Sequence, residues 1–272
     1  MVTALALPRL LANNRGALSR IAAVTRRDLT AVRHSGYWLV VLSGFFEPVL
    51  YLLAIGIGVG RLVEGFRLSD GTVVSYATFV APAMLAASAM NGALSEATYN
   101  FFAKMKWAKL YDAMVATPLR PFEIAVGELG WALMRGSMYS VAFLGIMVVL
   151  DLTTAGWAVL AFFASLLVGF AFGAVGMAMS TVMRSWQDFD YLNAVQFGMF
   201  LFSATFVPIE SYPAVVRVVI EVLPLYHGVE VVRALTLGRP EWATLGHVAY
   251  LVAISLLAIA IAARRLNAVL CK

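Results

Sequence analysis

Cysteine is nearly missing from these 272 residues: Cys271 is the only one, which excludes a disulfide within the chain and any metal centre built on several thiolates. Charge is scarce as well. Asp, Glu, Lys and Arg make up 13% of the residues against 62% hydrophobic, where soluble domains hold about 25% charged and 45–50% apolar. No soluble core absorbs that much apolar surface. There is no G-x-x-x-x-G-K-[ST] phosphate loop, so any ATP chemistry has to come from another chain. The histidines, His34, His227 and His247, are far apart, and neither H-E-x-x-H nor a nucleophile elbow frames a reactive group. No catalytic residue and no metal ligand is assigned. The first apolar run follows a long segment carrying six arginines, without the pattern of a removable signal peptide.

Long apolar runs are what the sequence does have, and the mean hydropathy is +0.86. A bilayer core about 30 Å thick needs about 20 apolar residues per helix. Six stretches qualify: Trp38–Gly60, Val73–Ala97, Ile124–Leu150, Trp157–Ser180, Tyr191–Val207 and Ala243–Ala262. The expectation is an all-α membrane protein of about six transmembrane helices. With the N-terminus in the cytoplasm, fourteen Lys and Arg fall in inside segments and five in outside loops. That asymmetry obeys the positive-inside rule and puts both termini inside. It also explains the net charge of +5 better than a nucleic-acid surface, because the basic residues sit at span ends and form no stripe. The domain reading is a cytoplasmic segment over 1–37, one membrane domain over 38–263 and a tail over 264–272.

Three further segments carry expectations. In the first, Leu18, Ile21, Ala22, Leu29 and Val32 fall on one helical arc while Arg20 and Arg27 point away, with Arg26 adding charge. This is an interfacial helix, serving either as a lipid anchor or as a bearing for a partner. In the second, Phe101, Met105, Ala108 and Val115 recur at helical spacing beside Lys104, Lys106, Lys109 and Arg120, until Thr117-Pro118 stops the helix. A short helix ended by proline can pass a push to the spans on either side; an ordinary basic loop has the same composition. In the third, Pro208, Glu210 and Pro213 precede an apolar stretch broken by Arg217, Glu221 and Pro224, before His227. Too short and charged to cross, it reads as a pair of re-entrant helices, which must be covered by protein or a wet cavity.

Ionisable groups inside spans cost about 2.5–3.5 kcal/mol on insertion scales, so Glu47, Glu96, Glu128 and Arg135 need partners. Glu128 and Arg135 share a helix face but lie too far apart for the usual pair. They line a translocation route or a helix interface, or Glu96 and Glu128 sit at headgroup level. Glu47 with Pro48 in mid-span is the better functional candidate, since proline frees a carbonyl and bends the helix. Gly169, Gly173 and Gly176 share one face of the fourth span and invite close helix packing.

Several stretches together are similar to the type-2 ABC transporter permease family, and particularly to its lipo-oligosaccharide (nodulation-factor) and daunorubicin-type exporter branches. They are Phe46-Glu47-Pro48, the run from Phe79 through Pro82 to Met90, Leu110-Tyr111-Asp112 through Thr117-Pro118, Ser203 to Pro208, and Leu223-Pro224-Leu225-Tyr226-His227. One departure is Lys106-Trp107-Ala108-Lys109, where the family often carries a Glu-rich stretch. The resemblance implies that Phe101, Lys104, Met105, Lys106, Lys109, Asp112, Thr117 and Pro118 belong to a coupling helix seated in a cytoplasmic ATPase. It also implies two ATPase copies holding ATP and Mg, a second permease subunit, identical or homologous, and location in a bacterial inner membrane. The cargo would be a lipid-linked glycan, a glycolipid or a hydrophobic drug. The alternatives are an ion-gradient-driven transporter, for which only Glu47 is well placed, and a membrane enzyme acting on lipid or glycan, for which no polar cluster at a membrane face is evident.

Overall fold

The computed structural model describes residues 6–34, a few positions between 50 and 67, and 72–270. Most of the expected first span, with Glu47 and Pro48, lies outside the described residues, as does Cys271. Among the described residues, helix α1 (Ala6–His34) precedes a two-residue antiparallel pairing of Phe66–Arg67 with Val73–Val74. Helix α2 (Tyr76–Ser95) continues through a π-turn (Glu96–Asn100) into α3 (Phe101–Lys106), and a short α4 (Leu110–Val115) follows. Then come α5 (Pro121–Val149), α6 (Ala155–Ser180), α7 (Asp188–Phe202), the short pair α8 (Ala214–Val222) and α9 (Pro224–Thr236), and α10 (Trp242–Leu270). The fold is all-α, and four helices, Tyr76–Lys106, Pro121–Val149, Ala155–Ser180 and Trp242–Leu270, are long and apolar enough to cross a membrane.

Local chemistry sets several boundaries that hydropathy misplaces. Ser75 caps α2 by accepting from the Thr78 N–H at 3.1 Å, so the second span begins at Tyr76. At the start of α5 Pro121 takes the first helical position, where its missing N–H is harmless, and the Glu123 carboxylate accepts from the Arg120 N–H at 3.0 Å. The fifth span was expected to reach Val207, but α7 stops at Phe202. Ser203, Ala204 and Thr205 are buried in non-helical backbone, with Ala204 at φ 52°. At 15 residues the helix is about 22 Å long. The last helix overruns its hydropathy boundary to reach Leu270.

Helix α6 is the hub. Cβ atoms built on Gly169, Gly173 and Gly176 would stand 3.0–3.4 Å from Leu133, Leu129, Leu94 and Thr98, so the glycine face lets α2 and α5 approach closely, as their spacing suggests. Gly228 of α9 meets α6 in the same way, its Cβ position 2.9 Å from Val168. Around this hub lie two apolar clusters. One, with Phe79, Leu85, Phe143, Met147, Phe172, Val229 and Leu251, fills the half that the charge asymmetry assigns to the outside. The other, with Val24, Phe101, Tyr111, Ile124, Leu129, Met177, Phe189 and Leu266, fills the half that the same asymmetry assigns to the inside. The pair α8 and α9 is broken at Leu223-Pro224, as the re-entrant reading expects, and α9 packs among α2, α6 and α10, which covers its backbone.

Candidate functional site: a cytoplasmic ion cluster and an intramembrane cleft

The end of the bundle richest in Lys and Arg, which the positive-inside rule assigns to the cytoplasm, is built by α1, α3, α4 and the start of α5. Only Gly at position 127 lets α1 lie where it does, because a Cβ there would sit 2.6 Å from the Val24 Cβ and 3.0 Å from the Ile21 carbonyl. Thr25 adds a hydrogen bond to the Gly127 carbonyl at 2.8 Å. Arg20 forks onto Glu123, with Nη2 2.6 Å from Oε1 and Nε 2.9 Å from Oε2. Arg20 and Arg27 turn toward α5 while Leu18, Ala22 and Leu29 are exposed, because the buried carboxylates of Asp28, Glu123 and Glu128 outbid water for the guanidinium groups. Arg26 stays exposed.

Lys104 ties this end together. Its Nζ donates to Glu128 Oε2 at 2.6 Å and to Asp28 Oδ1 at 3.0 Å, both carboxylates being 5% exposed. Arg27 pairs with Asp28 and approaches Glu128 at 3.8 Å. Tyr111 is buried in the same cluster, where burial first and the Glu128 and Asp28 carboxylates second push its phenol well above the ordinary value. Of the residues expected to form a coupling helix, Phe101, Lys104 and Met105 thus face inward and make no exposed contact surface. Lys106, Lys109, Asp112, Thr117 and Pro118 are exposed. The single helix implied by the apolar spacing is also broken. The Ala108 N–H reaches back to the Ala103 carbonyl at 3.0 Å, Lys109 adopts φ 45°, and α4 starts in a new direction. Helix α4 still ends just ahead of Thr117-Pro118, as proline requires.

Sequence periodicity gave no signal for an aromatic cluster that extends this exposed surface. Trp186, in the loop between α6 and α7, packs 4.7 Å from Trp107 and 5.7 Å from Phe102, and Phe189 stacks 4.5 Å from Tyr99. Trp107 is 62% exposed. A large exposed indole beside Lys106, Lys109 and Asp112 has the composition of a protein-binding hot spot.

Between α2, α5 and α7 lies a cleft of about 580 Å³ lined by Ser88, Asn91, Ser95, Tyr99, Arg135, Tyr139, Asn193, Gln196, Phe197 and Phe200 among others. Arg135, too far along α5 to reach Glu128, finds its partner in the π-turn that follows α2. Its Nη1 is 2.5 Å from Glu96 Oε2, and Glu96 also accepts from Trp131 Nε1 at 2.9 Å and Asn100 at 2.8 Å. Glu96 opens the π-turn, a local widening frequent at functional sites. Across the cleft, Gln196 donates to Asn91 and Asn193 to the Tyr99 hydroxyl, each at 2.7 Å. The wall is therefore carboxamides, hydroxyls and aromatic rings, with its one cation held by a carboxylate. Among the described residues no group of His, Cys, Asp or Glu is arranged to hold a metal.

At the opposite end the re-entrant residues are placed separately. Pro208 precedes a single turn of 3-10 helix (Ile209–Ser211) that contains Glu210, while Pro224 opens α9, which carries His227. Arg233, further along α9, is 6% exposed. It pairs with Glu230 at 2.6 Å, donates to the Ala204 carbonyl at 2.8 Å and lies 4.1 Å above the Phe79 ring. It satisfies the carbonyl freed where α7 breaks.

Residues 20–237 match the family profile described as ABC-2 type transporter. The chain is similar to nodulation protein J of Rhizobium leguminosarum bv. viciae, 30% identical over 221 residues, covering 80% of this chain and 82% of that protein. It is also 30% identical to nodulation protein J of R. leguminosarum bv. trifolii over 228 residues (83% and 84%) and to that of Bradyrhizobium diazoefficiens over 221 residues (80% and 81%).

Proposed function

We propose, from the premise that this chain belongs to the ABC-2 type transporter family, that it is the permease of an exporter whose cargo is an amphipathic molecule with an uncharged, hydroxyl- or amide-rich head. Membership makes it a multi-pass membrane subunit that works with an ABC ATPase. The cargo reading rests on the cleft. Asn91, Asn193, Gln196, Ser88 and two tyrosines offer paired donors and acceptors, aromatic faces suit sugar rings, and Arg135 is neutralised by Glu96. A lipid-linked glycan or glycolipid fits that wall better than a hydrophobic drug, which would desolvate the donors and acceptors that the Gln196–Asn91 and Asn193–Tyr99 bonds leave over.

Two ATPase copies, each holding ATP and Mg, would dock on the surface formed by Trp107, Trp186, Lys106, Lys109 and Asp112. A push there reaches α1 and α5 together, because Lys104 joins all three elements. A second permease subunit, identical or homologous, would complete the route, and a bacterial inner membrane would house it. The permease itself performs no covalent chemistry in this reading.

The test is reconstitution of the chain with its ATPase in lipid vesicles, comparing ATP hydrolysis with and without a glycolipid, for the wild type and for Asn91→Leu/Gln196→Leu. Stimulation by the glycolipid, absent in the variant while basal hydrolysis persists, is the expected result. Export driven by an ion gradient without ATP, or chemical conversion of the glycolipid, would overturn the reading in favour of the two alternatives.

A further inference from the structure

Helix α9 is tied to the last span by two imidazoles. His227 Nδ1 lies 2.7 Å from His247 Nδ1, and His227 Nε2 lies 2.9 Å from the Glu221 carbonyl. Tyr250, one turn along α10 from His247, stacks on His227 with ring centroids 3.8 Å apart and donates to the Val222 carbonyl at 2.6 Å. These contacts meet where α8 turns into α9, so they hold the re-entrant hairpin against α10.

The hydrogen bonds fix the tautomers. A carbonyl only accepts, so His227 carries its proton on Nε2 and offers a bare Nδ1. The facing Nδ1 of His247 must then be the donor. One nitrogen remains free, His247 Nε2. A first proton taken up there leaves the bond in place and makes it charge-assisted. The second has only His227 Nδ1 to occupy, which sets two N–H donors and two cations nose to nose at hydrogen-bond distance. The contact then cannot persist.

We propose that His227 and His247 form a proton-operated latch: neutral imidazole at His227 holds the re-entrant hairpin on the last span, and acidification of the outer face releases it. The neighbours leave these two rings as the titrating pair. From α10 the groups facing His227 are His247 and Tyr250. From α8 it is Glu221, through its carbonyl, while Arg217 is engaged with the carbonyls of Glu210 and Tyr212. On α9 itself Tyr226 and Glu230 are adjacent. Burial pushes Tyr226 up to about 12, so it keeps its proton; Glu230 is paired with Arg233. Burial, then the facing His247, lower His227 below its ordinary 6.5. Stability from a base with a lowered pKa is fully present above the ordinary value and is lost as pH falls below it. The latch is therefore closed at neutral pH and opens in acid.

The test uses the full chain in lipid nanodiscs with Cys271→Ser and spin labels on Val219→Cys and Leu245→Cys, both exposed positions, read as a distance distribution from about pH 8 to about pH 5. The expected result is one distance at the alkaline end and a second, longer population that grows below about pH 6. His247→Gln should abolish the transition, because a carboxamide can turn to donate to neutral His227 or accept from its protonated form. His227→Phe should show the longer population throughout, and retention of helical circular dichroism separates release from unfolding. A single distance at every pH in the wild type overturns the proposal. So does an unchanged transition in His247→Gln, which would assign it to the carboxylates of Glu210, Glu221 or Glu230. No ATPase or cargo enters the measurement, so its failure is distinguishable from failure of the exporter reading.

Discussion

Replacing Lys104 by Met tests the ion cluster most directly. In the wild type one ammonium faces two carboxylates, at 2.6 Å and 3.0 Å, each 5% exposed. Methionine matches the stem in volume, so the packing of α3 against α5 is kept and the change is electrostatic. It leaves Asp28 and Glu128 buried with Arg27 as the remaining nearby cation, and Arg27 is 3.8 Å from Glu128. Breaking a buried ion pair by removing one member costs about 3–5 kcal/mol, because the partner's desolvation is no longer offset. The variant should lose that much in detergent-titrated unfolding from mixed micelles. Adding Asp28→Asn and Glu128→Gln to Lys104→Met should return most of the loss, since no uncompensated anion then remains. Lys106→Met, at an exposed position, should change stability by about 0.5 kcal/mol or less. A loss below about 1 kcal/mol for Lys104→Met, or a triple variant as unstable as the single one, would refute the view that buried charge pairing ties α1, α3 and α5 together.

Gly127→Ala should cost about 1–3 kcal/mol by overpacking against Val24 and Ile21, while Gly145→Ala, where an added Cβ meets nothing within 4 Å, should be neutral or stabilising; the same unfolding titration ranks them. Arg233→Met should destabilise by about 3–5 kcal/mol and expose the Ala204 region, read as faster amide hydrogen exchange over residues 203–207. Asp188 accepts from the Arg184 and Ser185 N–H groups, and those bonds hold its carboxyl below the ordinary 3.8. Stability from a lowered carboxylate is present above the ordinary pKa and lost as pH falls through the lowered one. Trp186 fluorescence should therefore report loosening of its loop in strong acid in the wild type, and at all pH values in Asp188→Ala.

How much of this was legible in the sequence depended on the range of the signal. Hydropathy finds α2, α5, α6 and α10 because a span is a local property, and the Gly169, Gly173 and Gly176 face is visible because three glycines on one face need a neighbour. The break at Leu223-Pro224 follows from proline alone. Partner choice is not local. Glu128 and Arg135 visibly need partners and are too far apart to serve each other, but nothing local points to Lys104 and Glu96, which other elements bring to them. The same holds for α1, where the helical arc is legible but the three carboxylates on α1 and α5 that Arg20 and Arg27 meet are not. The cleft and the tryptophan cluster draw on elements nearly 100 residues apart, so periodicity within one segment could not find them. Lys109 in left-handed backbone defeats the single-helix expectation, since lysine is not a residue whose presence announces a turn.

The early end of α7 makes bilayer thickness a variable for this protein. The long helices α2, α5, α6 and α10 match lipids with ordinary acyl chains, but α7 reaches only about 22 Å before its backbone unravels. Lipid beside α7 must thin locally, or its unravelled end must stay covered by Arg233 and α9. Lengthening the acyl chains strains the bundle unevenly, at a fraction of a kcal/mol for each ångström of mismatch. That strain falls on the carbonyl of Ala204 first. Membranes of different thickness should therefore set different resting positions for the outer end of α7 relative to the cleft wall that the same helix supplies.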